Sequence, residues 1–78
     1  MTAKIDMLDV VALLEDVPAK GLIRGQVGTV VELLARGVFE VEFSDDQGRP
    51  YAILALKGDQ LMVLHHRPVH DVGHSPAA

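Results

Sequence analysis

The stretch Leu22 to Leu34 reads LIRGQVGTVVELL and sets two glycines, Gly25 and Gly28, three positions apart, directly ahead of a β-branched run. A glycine pair at this spacing cradles a phosphate only when a helix follows. The helix N-terminus supplies the free N–H groups and the positive end of the dipole. Here Thr29, Val30 and Val31 follow, which are poor helix formers and good strand formers. The Gly-Lys-Ser/Thr ending of a P-loop is also missing. The stretch is a turn entering a strand. Both glycines are therefore read as structural: Gly25 turns the chain, and Gly28 opens close backbone packing at a bulge or a sharply coiled strand.

Upstream, Leu8 to Leu14 is largely apolar, with Val10 and Val11 at its centre, and ends at Glu15, Asp16 and Pro18. Its short length before the breaker favours a strand over a helix. Val17 to Gln26 is a loop by composition, with Pro18, Gly21 and Gly25 as punctuation. Downstream, Ala35 to Gly37 is a tight connection into VFEVEFS, Val38 to Ser44. There Phe39, Val41 and Phe43 alternate with Glu40, Glu42 and Ser44, the period of a half-buried antiparallel strand. Asp45 to Pro50 carries turn chemistry. Tyr51 to Lys57 is a fourth strand, Gly58 to Gln60 a short turn of 3₁₀ type, and Leu61 to Leu64 a fifth strand.

Five short strands with one long loop and then tight turns predict an all-β fold: a small five-stranded antiparallel SH3-like barrel, since curling removes exposed edges. The expected core is Val10, Ala12, Val30, Phe39, Val41, Phe43, Ile53 and Leu61. Seventy-eight residues make one domain. Residues 1–64 are assigned to the barrel, and residues 65–78, which hold His65, His66, His70 and His74, to a flexible tail. A chain of this size buries about 60–65% of its unfolded surface, and with no cysteine it has neither disulfides nor thiolate zinc to reinforce the core.

The net charge is −4. Residues 1–44 carry four positive and seven negative charges and residues 45–78 three and four, so neither half is basic. That disfavours a nucleic-acid backbone as partner. The N-terminus lacks the basic and apolar regions of a secretory signal, and no apolar run reaches membrane-spanning length. The expectation is a soluble, cytoplasmic protein.

No pattern in the chain assembles a catalytic site. Asp45 and Asp46 lie in a turn with no nucleophile near them in sequence, and Ser44 and Thr29 have no histidine at a triad-like spacing. Glu40 and Glu42 are the wet face of the third strand. His66, His70 and His74 repeat every fourth residue, but Pro68 and Gly73 oppose the helix that would align them for Zn²⁺ or Ni²⁺. The reading is a non-enzymatic module with no cofactor and no metal.

LDVVALLEDVPAKGLIRGQVGTVVELL, then FEVEF, then ILALKGDQL, resembles a family of short bacterial proteins known as a domain of unknown function. The resemblance covers Leu8 to Leu64 and implies an SH3-like barrel. Gly-x-x-Gly-x-Val-Val after a basic loop is also similar to KOW modules. That similarity implies RNA or protein binding, with Lys20, Arg24 and Arg36 facing a phosphate backbone. The Arg-Gly-x-Val-Gly-Thr-Val-Val string resembles the C-terminal barrel of nitrile hydratase β-subunits. It implies a subunit-contact role and carries over no catalytic residue.

The chain holds more large aliphatics than so small a barrel can enclose. Lys20, Leu22, Ile23, Arg24, Met62 and Val63 are the expected interaction surface for a protein partner. The uncharged Leu61–Leu64 strand, free of proline, suits pairing into a homodimer. A KOW-like RNA-binding module is the alternative.

Overall fold

The computed structural model describes residues 4–65 and Pro68. Five strands are present: β1 (Val10–Leu13), β2 (Val27–Ala35), β3 (Val38–Ser44), β4 (Pro50–Lys57) and β5 (Leu61–Val63). They form one antiparallel sheet in the order β4-β3-β2-β1-β5. The sheet is not closed: β4 and β5 are its two edges, so the fold is all-β without the expected closed barrel.

Register explains which residues form the core. Val63, Val11, Gly28, Phe43 and Ala52 stand opposite one another across all five strands. Val11, Phe43, Val30 and Val41 are fully enclosed, and Leu13, Leu22, Leu56 and Leu61 nearly so. Each such side chain contributes about 1.5–3 kcal/mol on burial.

Gly28 has no room for a Cβ. One built there would lie 2.7 Å from Val41 Cγ1 and 2.9 Å from the Glu42 carbonyl oxygen. Gly25 has φ +94°, a conformation that side chains disfavour. The two glycines therefore act as expected, one by close packing and one by turning. The bulges of β2 fall later, between Val30 and Glu32 and between Leu33 and Ala35.

Several core assignments need correction. In β1 the enclosed residues are Val11 and Leu13, whereas Val10 is only half-buried. Ala12 is buried as expected, although by alternation it lies on the face opposite Val11 and Leu13 and outside the cluster they belong to. In β4, Ile53 is 54% exposed and Leu56 is buried. The cause is pairing: Ile53 stands opposite Glu42, which faces water, while Leu54 and Leu56 stand opposite Val41 and Phe39. Ile5, ahead of the expected first strand, belongs to the core.

Tyr51 departs from its strand. Ser44 pairs with Pro50 and Phe43 with Ala52, so Tyr51 is the extra residue of a bulge. Its ring lies 6.4 Å from that of Phe43, and its hydroxyl accepts a 3.1 Å hydrogen bond from Gln26 Nε2. A contact thus runs from edge strand β4 to the chain just ahead of β2.

Candidate functional site

The expected interaction residues separate into two places. Lys20 ends a 3₁₀ turn, Pro18–Lys20, and is exposed. Ile23 and Arg24 are exposed in the following loop, where the Arg24 N–H donates to Asp16 Oδ1 at 2.8 Å. Leu22 is no surface residue. It is 2% exposed and sits in the core, because a bridge between Val17 and Leu22 folds the loop back and tucks this side chain under the sheet. Arg36 sits in the turn after β2, at the opposite end of that strand from Arg24. The cations proposed for a phosphate backbone are therefore not one patch.

The second place is β5. Met62 is 49% exposed and Val63 is half-buried against the core. Met62 pairs with Ala12, and Ala12 with Val27, so an uncharged row runs across β5, β1 and β2 on the outer face. The Leu64 N–H donates to Val10 O and the Leu14 N–H to Gln60 O. Antiparallel alternation then directs Met62 toward β1 and the backbone groups of Leu61 and Val63 toward the open edge. The Leu61 N–H is already donated to Gly58 O. Among the described residues, the groups left unpaired at this edge are the Val63 N–H and the carbonyls of Leu61 and Val63.

A third feature went unseen in the sequence. An open groove of ≈ 650 Å³ has a floor of Ile5, Val38 and Phe39 and a rim of Lys4, Arg36, Lys57 and Asp59. The β3–β4 register places Lys57 opposite Val38, and the Gly58 N–H donates to Gly37 O at 3.0 Å. These ties fix the turn bearing Arg36 beside Lys57. Hairpin pairing of Val38–Ser44 with Tyr51–Lys57 was the signal that both cations share one end.

The chemistry of titratable groups is plain. Asp45 is held below the usual carboxylate range because its carboxylate accepts the N–H groups of Arg49, at 2.9 Å, and Gln47, at 2.8 Å. Among the described residues no three His, Cys, Asp or Glu side chains converge to hold a metal. His66, His70 and His74 lie outside the described residues. No described helix is long and apolar enough to cross a membrane.

The family model described as Domain of unknown function (DUF4926) matches residues 7–63. The chain belongs to this family. No curated protein and no solved structure matches it. The DUF4926 segment spans all five strands and includes Arg36 and Lys57 of the groove; Lys4 and Ile5 precede it.

Proposed function

We propose that this DUF4926 chain is a non-enzymatic interaction module, an open member of the SH3-like barrel class, that takes a protein partner by strand addition along β5. The strand order supports the barrel reading, since β1 lies between β2 and β5 and brings the last strand beside the first. The β5 edge carries the functional reading. Among the described residues, the Val63 N–H and the Leu61 carbonyl have no partner, and they adjoin an exposed, uncharged Met62, with none of the lysine or proline that usually blunts an edge.

A second copy of the chain fits that edge. With a two-fold axis through Met62, each Val63 N–H meets the partner's Leu61 carbonyl. The two Met62 side chains then face each other and extend the Met62–Ala12–Val27 row into the second molecule. Two backbone bonds and one side-chain pair alone are too small a contact for micromolar self-association, so apolar area along the Met62–Ala12–Val27 row must be buried with them. Light scattering on the full chain at tens of micromolar should give twice the 8.4 kDa chain mass. Met62→Lys sets two cations opposite each other and should return the monomer. A monomeric wild type would remove the second copy as partner.

A further inference from the structure

We propose that the groove between the β2–β3 turn and the β4–β5 connection binds the C-terminal end of a polypeptide whose last side chain is apolar. The terminal carboxylate lies between Arg36 and Lys57, and the side chain rests on Phe39 and Ile5. The surface is separate from β5, none of whose residues lines it.

The charge distribution selects the anion. The protein carries a net charge of −4, yet this groove gathers three cations against one carboxylate. Lys4 is shared with Asp6 at 3.9 Å; among the described residues neither Arg36 nor Lys57 forms an ion pair. Arg36 brings the planar fork that matches a carboxylate, and Lys57 a point charge beside it. Asp59 on the same rim opposes a polyanion, so a single carboxylate fits and a phosphate chain does not.

The floor selects the rest. Phe39 and Ile5 are largely buried, and both lie against the backbone at Gly58, where a Cβ would sit in ordinary contact at 3.4 Å from Phe39 Cε2 and 3.7 Å from Ile5 Cδ1. The volume falls in the range of ligand sites, but such sites enclose most of a small molecule. This one is open along its length, which suits a peptide that keeps one side in water.

The test is a ¹H–¹⁵N titration of the full chain with N-acetyl-Leu-Phe, N-acetyl-Leu-Phe-amide and octanoate. The free carboxylate should give saturable shifts at the Gly37, Phe39 and Gly58 amides and bind about fivefold to tenfold tighter than the amide. Arg36→Gln/Lys57→Gln, changed at two exposed positions, should abolish that preference while leaving the spectrum dispersed. Equal affinity for the two peptides, a preference that survives the double variant, or no saturable shift overturns the proposal. Tighter binding of octanoate at the same amides overturns the polypeptide as occupant. None of these outcomes depends on self-association through β5.

Discussion

Gly28 stands directly opposite Phe43, and the Cβ it lacks would lie 3.0 Å from Phe43 Cδ2. The same point is closer still to Val41 Cγ1 and the Glu42 carbonyl, neither of which can swing aside cheaply. Overpacking of this kind costs about 1–3 kcal/mol, and a core carbonyl in the path puts Gly28→Ala near the upper end. Gly28→Val should cost more. Urea denaturation of both variants measures the loss, and an unchanged midpoint for Gly28→Ala would mean that β2 and β3 are not this close.

Leu8 adopts φ +69° although it is no glycine, and its side chain is 70% exposed. The left-handed conformation costs a leucine about 1–2 kcal/mol. It is held by the Leu8 N–H bond to Val30 O and by the Asp9 carboxylate accepting the Asp6 N–H. Leu8→Asn keeps the backbone, relieves part of the strain and sacrifices little buried surface. Thermal unfolding should show a gain of about 0.5–1 kcal/mol.

Asp45 sets an acid dependence whose sign follows from its lowered pKa. Its carboxylate is more easily ionised in the folded chain than in the unfolded one, so the stabilisation is present above the unfolded value near about 4. It is lost as pH falls through the lower, folded value. Asp45→Asn should remove that part of the slope below pH about 4 and leave the neutral-pH slope unchanged, read from denaturation midpoints across the acid range. The Asp45 side chain is partly exposed to water, which screens the interaction, so the effect is small.

Much of the fold was legible because local signals agreed. The Phe39–Val41–Phe43 alternation, the turn at Asp45–Arg49 and the Gly25–Gly28 pair each pointed to the element observed. The errors came where two phases were equally apolar. Val10–Leu13 offers aliphatics on both faces, so only pairing with Gly28 and Val63 makes Val11 the inward residue. Ile53 and Leu54 differ little in hydrophobicity, and the choice between them rests on Glu42 and Val41 across the ladder. Leu22 looked like a surface leucine because its loop carried no sign of the bridge to Val17. The groove is harder to read because Lys4, Arg36 and Lys57 are far apart along the chain, and the one signal joining the last two is the pairing of the third strand with the fourth.

The most direct test of the interaction-module reading is at Met62 and Val63 themselves. A sample mixing isotope-labelled and unlabelled chains, read by filtered NOE at concentrations where light scattering gives the dimer, reports contacts only between molecules. Cross-chain NOEs between the Met62 methyl groups, with slowed exchange of the Val63 N–H that returns to the rate of an open strand edge in Met62→Lys, are the expected result. A monomer whose Val63 N–H exchanges at the rate of an open strand edge would contradict self-pairing at β5.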